Sequence, residues 1–214
     1  MTRIHIVGGT GYAGGNLVRE ANRRGHEVVS SSRHLPEVQE PGVTYVTGSV
    51  LDEAYLASIV SNVDVVISAV PPRGELEGRT RGILAHLGEL AREAGVRFGV
   101  IGGAGSLLVA PGGPRLVDTD GFPEAYKPEA LEMADVLDDL RATPDDLDWF
   151  FVSPAAAFGA HAPGEATGTF RVGGDVLLAD DAGQSFISGA DLATAIIDEV
   201  ETPAHHRARF TVAY

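Results

Sequence analysis

Short apolar runs alternate with amphipathic stretches along most of the 214-residue chain. Runs rich in β-branched or apolar residues predict strands over 3–7, 27–31, 43–47, 63–70, 97–103 and 148–152, with a terminal strand over 207–214. Helical spacing of apolar residues predicts helices over 12–24, 53–61, 79–94, 123–141 and 191–200. Strands that alternate with helices of this length form βαβ units, so we predict an α/β fold with a doubly wound parallel sheet.

Residues 155–187 lack a helical pattern and contain many glycines. Short β-like pieces, TFRV and VLLA, lie between those glycines. We predict that this segment is a small cap over the ligand-binding edge of the sheet. No linker or internal repeat is visible, so residues 1–214 are predicted to form a single domain.

Composition and charge exclude several classes of function. Apolar residues make up 44% of the chain and charged residues 21%, which is ordinary for a globular protein. The net charge of −14 repels nucleic acid and anionic membranes, so a bound dinucleotide needs a local positive site. Cysteine is absent, which excludes disulfides and a cysteine nucleophile. The pair His205-His206 lacks further metal ligands, so no metal site is predicted.

The ends and apolar runs of the chain bear on its location. No run approaches the roughly 18–20 apolar residues that span a membrane, and MTRIHIVGG begins a strand and not a signal peptide. We therefore predict a cytoplasmic protein with a small-molecule substrate and no nucleic-acid or membrane partner. It is expected to be a monomer or a homodimer.

Glycines recur at a fixed spacing between the first strand and the first helix, at Gly8, Gly11 and Gly14. Gly8 can form the tight turn, Gly11 lets the backbone approach a pyrophosphate, and Gly14 lets the helix lie close to the sheet. The helix N-terminus offers free N–H groups and a partial positive charge, and Thr10 adds a hydroxyl donor. A second strand follows at the right distance, so the sequence predicts a Rossmann fold that binds a dinucleotide.

The end of the second strand distinguishes between the two nicotinamide dinucleotides. NAD enzymes usually carry Asp or Glu there, which binds the ribose 2′-hydroxyl. This chain instead has Ser31, Ser32 and Arg33, and the arginine can bind a 2′-phosphate with two parallel hydrogen bonds. The alternative is that Arg33 is a solvated side chain in a polar loop. We predict NADP(H) as the cofactor in preference to NAD(H).

Two later turns are expected to line the same cofactor. Val50, after the third strand, would pack on the adenine, while Asp52 would either bind the adenine amino group or cap the next helix. Ser68, Ala69 and Val70 end the fourth strand beside the first, and their small size leaves room for a ribose.

Several runs of residues occur together and in order. They are VGGTGYAGGNLV, VVISAV, IGGAGSL, the Asp-Trp-x-x-Val-Ser-Pro run of 148–154, Thr167-Gly168, and Phe186-Ile187-Ser188 with Asp191-Leu192-Ala193. With them the whole chain resembles the atypical short-chain dehydrogenase/reductases, in the branch of NAD(P)H-binding proteins and NADH-flavin reductases. Biliverdin-reductase-type flavin reductases are more distantly similar. The GGAGS and SP…TG…ISxxDLA runs are the more specific part, since many enzymes share the glycine turn.

The resemblance implies that the nicotinamide ring lies near Gly102–Ser106 and Ser153–Ala156. It implies further that Ser106 hydrogen-bonds a substrate carbonyl or the carboxamide. The residues predicted to bind the cofactor are Gly8, Thr10, Gly11, Tyr12, Gly14, Ser32, Arg33, Val50, Asp52, Ser68, Ala69, Val70, Gly103 and Pro154.

The chain departs from the family pattern at two places that concern proton transfer. Most short-chain dehydrogenases use Tyr-x-x-x-Lys as the proton-donating pair, whereas here Tyr126 is followed directly by Lys127. Biliverdin-reductase-like members carry His where this chain has Ala155. Tyr126 and Lys127 stay candidates for a donor and an orienting residue at a loop–helix junction, because a lysine lowers the pKa of a nearby phenol.

Hydride transfer to a flavin needs stacking and orientation more than it needs an acid. Phe122, Phe158 and the pair Pro71-Pro72 would suit a flat aromatic acceptor, although core or lid packing explains each aromatic equally well. His161 lies in the predicted cap and is a candidate proton donor, with an ordinary surface position as the alternative.

Three hypotheses about function follow. The first is an NADPH-dependent oxidoreductase that transfers hydride to a flavin, quinone or similar conjugated acceptor. The second is a non-catalytic protein that senses NADP(H) and regulates a partner. The third is a non-redox isomerase or lyase on the same scaffold. The fold alone does not choose among them.

Overall fold

Strands and helices alternate along the chain in the predicted order. The computed structural model describes residues 1–214. Its strands are β1 (Arg3–Val7), β2 (Glu27–Ser32), β3 (Thr44–Thr47), β4 (Val65–Ser68), β5 (Arg97–Ile101), β6 (Trp149–Pro154), β7 (Arg171–Gly173) and β8 (Ala208–Ala213). Its α-helices are α1 (Tyr12–Arg23), α2 (Glu53–Ile59), α3 (Thr80–Ala94), α4 (Lys127–Arg141) and α5 (Gly189–Glu201). None of these helices has the length and apolar character needed to cross a membrane.

All eight strands form one sheet in the order β3-β2-β1-β4-β5-β6-β8-β7. Every neighbouring pair is parallel except β7 and β8, which are antiparallel. The chain runs outward from β1 to β3 and then returns to place β4 on the other side of β1. Open α/β sheets bind their ligands at the carboxyl ends of the strands beside such a reversal.

Helices cover both faces of the sheet, which confirms the predicted doubly wound α/β fold and its single domain. Helices α1 and α5 lie on one face of the sheet, and a layer of 22 buried apolar residues packs between these helices and the strands. Helices α2, α3 and α4 cover the other face with a layer of 18. Parallel strands buried on both faces require nearly continuous apolar sequence, as the runs in β4 to β6 show.

The observed boundaries differ from the predicted ones chiefly at helix starts. Helix α5 begins at Gly189 and not at Asp191, because the Ser188 hydroxyl accepts a hydrogen bond from the Asp191 N–H and caps the helix two residues earlier. Helix α4 is preceded by a 3₁₀ turn over Glu124–Tyr126 that the sequence pattern assigned to the helix itself. The fourth strand is confined to the central residues of its apolar run.

The segment 155–187 is only partly separate from the sheet. Arg171–Gly173 forms β7 and adds one antiparallel edge strand beside β8 to the otherwise parallel sheet. The VLLA piece forms no strand beyond a single bridge between Val176 and Leu108.

Candidate functional site

The glycine turn lies at the reversal of strand order, between the carboxyl ends of β2 and β4. The N–H groups of Gly8 and Gly9 donate to the Ser31 carbonyl at 2.8 and 3.1 Å, which fixes the turn to β2. Gly8 has φ +85°, a left-handed conformation that glycine adopts without strain. A Cβ on Gly8 would lie 3.1 Å from the carbonyl oxygen of Ala69 and 3.2 Å from a methyl of Val70. The turn is therefore in contact with the residues that follow β4.

Helix α1 begins in direct contact with this turn. A Cβ on Gly14 would lie 2.2 Å from the Gly8 carbonyl oxygen and 2.9 Å from the Gly9 Cα, so only glycine fits. This contact places the first turn of α1 immediately above the backbone of the glycine turn. The predicted reason for a glycine at this position, close approach of helix and sheet, agrees with the geometry.

The first turn of α1 presents backbone donors that the protein does not use. No acceptor in the protein bonds the N–H groups of Tyr12, Ala13 or Gly14, whereas the Gly11 N–H donates to the Gly8 carbonyl at 3.0 Å. Gly11 caps the helix without a side chain, and the first turn holds no acidic residue. Unpaired N–H groups and the positive end of the helix dipole together suit an anion such as a diphosphate.

The Tyr12 side chain has a different role from its backbone. Its hydroxyl donates to the Pro163 carbonyl at 2.8 Å and accepts from the Gly189 N–H at 3.0 Å. Its ring lies against Phe158, with 5.3 Å between the centroids. Tyr12 thus joins the glycine turn, the segment 155–187 and the start of α5, which leaves only its N–H for a phosphate.

Arg33 lies just beyond the end of β2 and is exposed, with a side chain 66% accessible. Its guanidinium lies 3.5 Å from the Glu75 carboxylate in the loop after β4. The pair crosses above β1, because β1 lies between β2 and β4 in the sheet. The neighbouring Ser32 hydroxyl donates to the His34 carbonyl. The one cation predicted for a 2′-phosphate therefore lies beside a solvated carboxylate at the carboxyl ends of the strands.

The two turns predicted to line the adenine and ribose follow β3 and β4, and their contact with a cofactor stays a prediction. Asp52 accepts from the N–H groups of Ala54 at 2.9 Å and Tyr55 at 3.3 Å, so of its two candidate roles the helix cap is the one seen. Val50 is half-buried against the second apolar layer. Ser68 is buried at the end of β4.

The segment after β5 carries the residues that the resemblance places at the nicotinamide. The Gly102 N–H donates to the Val152 carbonyl at 2.9 Å, which joins this segment to β6. Nothing lies within 4 Å of a Cβ placed on Gly103, so open space adjoins this residue. Pro154 ends β6 and is buried. Gly103 and Pro154 thus occupy the ends of neighbouring strands.

Ser106 ends the 3₁₀ turn that follows, and its hydroxyl is held by Arg209 of β8. The Arg209 Nη1 atom donates to Ser106 Oγ at 2.8 Å. No pattern in the sequence indicates this contact, since the two residues lie 103 positions apart. Contact of Ser106 with a substrate stays a prediction.

The structure does not join Tyr126 and Lys127 to Ser106 by any hydrogen bond. Lys127 Nζ bonds the Glu124 carboxylate within the same exposed turn, and the Tyr126 side chain is exposed. A lysine neutralised by a neighbouring carboxylate is a weaker donor of positive charge to a phenol or a phosphate. The geometry therefore does not support the predicted acid–base pair, and its contact with a substrate stays a prediction.

Of the predicted acceptor-site residues, Phe158 alone contacts the glycine turn, through Tyr12. Phe122 is half-buried in the loop before α4. His161 is exposed and lies beside Gly159. Their contact with an acceptor stays a prediction.

Asp191, a conspicuous member of the recurring runs, closes the segment 155–187 onto α5. Its carboxylate accepts from the N–H groups of Thr167 at 2.7 Å and Gly168 at 3.1 Å, and from the Tyr214 hydroxyl at 2.6 Å. Burial alone would raise the pKa of Asp191, but these hydrogen bonds outweigh it and hold the pKa below its usual value. The Thr-Gly and Asp-Leu-Ala runs therefore have a structural explanation that sequence reasoning missed.

A cleft of about 490 Å³ extends from the glycine turn along the outer face of α1. Thr10 and Arg19 line its inner side, and Pro36, Tyr45 and Gly164 belong to its outer walls. None of the residues predicted to contact the adenine lines this cleft. The glycine turn is therefore accessible through this cleft on the side of α1.

His5 of β1 lies buried near the turn, with Nε2 3.0 Å from Ser31 Oγ. Burial lowers the pKa of His5 from 6.5 to about 4, because the charged imidazolium loses its hydration. The folded state thus keeps a neutral histidine where the unfolded chain takes up a proton. Its contribution to stability is complete above pH 6.5 and is lost as the pH falls toward 4.

We expect His5→Gln to reduce the acid sensitivity of the protein. The wild type should lose up to about 3 kcal/mol more unfolding free energy than the variant between pH 7 and pH 4, as the linkage relation gives for this shift. Urea unfolding at both pH values measures this difference. His34→Gln, at an exposed position, is the matched control and should behave like the wild type. Equal acid losses in His5→Gln and wild type would contradict the assignment.

The whole chain is similar in sequence and in structure to several known proteins. The model of a family described as NAD(P)H-binding matches residues 8–203. The Bacillus subtilis protein YwnB is 37% identical over 98% of this chain and 97% of its own length. A Bacteroides thetaiotaomicron structure described as a "putative epimerase" has a TM-score of 0.89 at 35% identity, over 100% of this chain and 97% of its own. A Streptococcus pneumoniae structure described as a "putative NADH-flavin reductase" has a TM-score of 0.84 at 33% identity, over 100% and 99%.

Proposed function

Since this chain belongs to the NAD(P)H-binding family, we propose that it is an NADPH-dependent oxidoreductase that transfers hydride to a flavin, quinone or similar conjugated small molecule. The observation that carries the proposal is the first turn of α1, whose three unpaired N–H groups lie directly above the glycine turn. A diphosphate would accept hydrogen bonds from these three N–H groups. The close contact that excludes a Cβ at Gly14 places the same N–H groups directly beside the backbone of the glycine turn.

The preference for NADPH rests on the end of β2. No acidic residue stands at the carboxyl end of β2, Ser30–Ser32, where an NAD enzyme would bind the ribose hydroxyl, and Arg33 follows directly. The guanidinium already lies beside a carboxylate, Glu75, at 3.5 Å. A 2′-phosphate carries more charge and accepts two parallel hydrogen bonds, so it would replace Glu75 as the partner of Arg33.

The residues at the ends of β5 and β6 would position the nicotinamide and the acceptor, and would not themselves react. The bound nucleotide would supply the hydride, as it does in all such reductases. The ends of β5 and β6, with open space at Gly103, would hold the nicotinamide and the acceptor against each other. Because Tyr126 and Lys127 lie in an exposed turn, we assign no side-chain acid. Acceptors that take their proton from water after the hydride, such as flavins and quinones, fit this site best.

We expect Arg33→Ala to weaken NADPH binding by about tenfold or more and NADH binding by less than about twofold, because only NADPH has the phosphate that Arg33 would bind. Isothermal calorimetry with each nucleotide measures both constants. Arg23→Ala removes the same charge from an exposed position at the far end of α1 and should change neither. Equal losses for the two nucleotides would refute the 2′-phosphate assignment.

A steady-state assay tests the reaction itself. NADPH oxidation is followed with flavins and with quinones as acceptors, and turnover with at least one of them is expected. Tight NADPH binding without turnover of any acceptor would favour a sensor of NADP(H). Conversion of a substrate without nucleotide consumption would favour an isomerase, in line with the epimerase description of one relative. A cytoplasmic monomer or homodimer that acts on a small molecule completes the proposal.

A further inference from the structure

A buried arginine beneath the segment after β5 has no part in the function described so far. Arg209 lies on β8 with its side chain 2% accessible, and its Nη1 donates to Ser106 Oγ at 2.8 Å. Fully buried arginines are rare, since the guanidinium must find partners for its five donors. One of those partners here is a hydroxyl at the predicted acceptor site.

The positive charge of Arg209 is only partly compensated. Asp175 accepts from Arg209 Nε and Nη2 at 2.8 and 2.5 Å, but it also accepts from Arg141 at 2.9 Å. Asp175 is itself half-exposed, so water screens the carboxylate more than it screens the guanidinium. Burial lowers the pKa of Arg209, which is the expected result when a cation is poorly compensated.

The same face of the sheet holds further polar groups at its carboxyl end. Thr211 lies two residues after Arg209 on β8 and is paired in register with Ser153 of β6. Both hydroxyls are buried and have no hydrogen-bond partner. A buried hydroxyl without a hydrogen-bond partner destabilises the folded state, so a purely structural core would not favour this layer. Three hydroxyls and a guanidinium thus underlie the edge where a ligand is expected.

We infer that Arg209 is a positioning residue that orients the Ser106 hydroxyl as a hydrogen-bond donor to the carbonyl oxygen of the acceptor. Arg209 occupies a lone pair of Ser106 Oγ, and the hydroxyl hydrogen of Ser106 bonds nothing in the structure. Donation from a cation also makes that hydrogen a stronger donor. The inference rests on the proposed reductase function and adds the group that would bind the reduced acceptor.

The Ser106 hydroxyl would stabilise the negative charge that develops on the acceptor during the reaction. The acceptor gains a hydride, with both electrons, and develops a negative charge on its carbonyl oxygen. Ser106 would stabilise that charge through a hydrogen bond, and water would then supply the proton that completes the reduced product. Ser106 itself is not consumed or deprotonated. The stabilisation is greatest after hydride transfer begins, so it raises kcat more than it raises nucleotide affinity.

A double-mutant cycle tests the inference. We expect Ser106→Ala to lower kcat by about 100-fold and Arg209→Met by about tenfold, with NADPH affinity unchanged within about twofold. Arg209→Met in the Ser106→Ala background should cost nothing further, because Arg209 acts through Ser106. Arg209→Lys, which keeps the charge, should recover part of kcat. Arg141→Met is the matched control, since Arg141 shares Asp175 but does not contact Ser106.

Hydrogen exchange provides a readout besides activity. The amides of 104–108 should exchange at least about threefold faster in Arg209→Met than in wild type, with NADPH bound, and at the wild-type rate in Arg141→Met. Unchanged kcat in Arg209→Met, or additive losses in the double variant, would overturn the inference while wild-type turnover upholds the proposed function. Absence of wild-type turnover with every acceptor would overturn both.

Discussion

Gly14→Ala is expected to weaken NADPH binding by about 100-fold and to cost roughly 1–3 kcal/mol of unfolding free energy. The added methyl would lie 2.2 Å from the Gly8 carbonyl oxygen, and backbone on both sides leaves it nowhere to go. Helix α1 must then move away from the turn, and its free N–H groups move with it. Losing one charge-assisted hydrogen bond, worth about 1.5–3 kcal/mol, accounts for the affinity change. Calorimetry and urea unfolding measure the two effects.

Gly15→Ala provides the control at the adjacent position. A Cβ there would lie 3.6 Å from the Gly9 carbonyl oxygen and 3.7 Å from the Arg19 guanidinium, which are ordinary contacts. We expect NADPH affinity to stay at the wild-type value and stability to rise by up to about 1 kcal/mol, because alanine favours the helix. If Gly14→Ala binds NADPH as tightly as Gly15→Ala does, the close helix–turn contact does not position the phosphate donors.

Glu199→Ala is expected to cost about 3–5 kcal/mol of unfolding free energy, the largest stability effect predicted for any charged residue here. Glu199 is 4% exposed and bonds Arg97 Nη2 and His205 Nδ1, each at 2.6 Å. Burial opposes the charged carboxylate, but the bonds from Arg97 and His205 hold the pKa of Glu199 below its usual value. Removal of the carboxylate leaves the guanidinium of Arg97 buried without its main counter-ion.

Glu201→Ala, on the same helix, is the matched control. Glu201 is partly exposed and pairs with Arg24 and His26, so its loss should cost no more than about 1 kcal/mol. Urea midpoints with unchanged m-values give both free energies. The ion pair of Glu199 lies at the amino ends of the strands, far from the glycine turn, so NADPH affinity should not change in either variant. If Glu199→Ala and Glu201→Ala unfold at similar urea midpoints, loss of Glu199 does not leave the Arg97 guanidinium buried without a counter-ion.

The elements that lie close together in sequence could be predicted because local patterns encode them. The glycine spacing at Gly8, Gly11 and Gly14 identifies a βαβ unit by itself, since turn, close approach and helix start all fall within seven residues of chain. The strands β1, β2, β4 and β5 follow from apolar runs, although the ends of β2, β4 and β5 shift by a residue or two. The cap of α2 by Asp52 was likewise among the two roles that the sequence allowed.

The contacts between distant segments were not predictable from those patterns. Arg33 looks like a free cation in the sequence, yet it lies beside Glu75 once β2 and β4 flank β1. Tyr12 looks like a cofactor residue, yet its hydroxyl fastens Pro163 and Gly189. Each partner is fixed by sheet order and loop path, which no local propensity specifies.

The sequence by itself determined the doubly wound fold, the glycine turn and membership of an NAD(P)H-binding family. Hydrophobic periodicity and backbone sterics act over a few residues, so they can be read without the folded chain. The tertiary structure alone decided that Arg209 holds Ser106, that Asp191 closes the segment 155–187, and that β7 joins the sheet antiparallel. Those contacts join residues 23 to 103 positions apart or depend on strand order, and burial and electrostatics between such residues exist only after the sheet has formed.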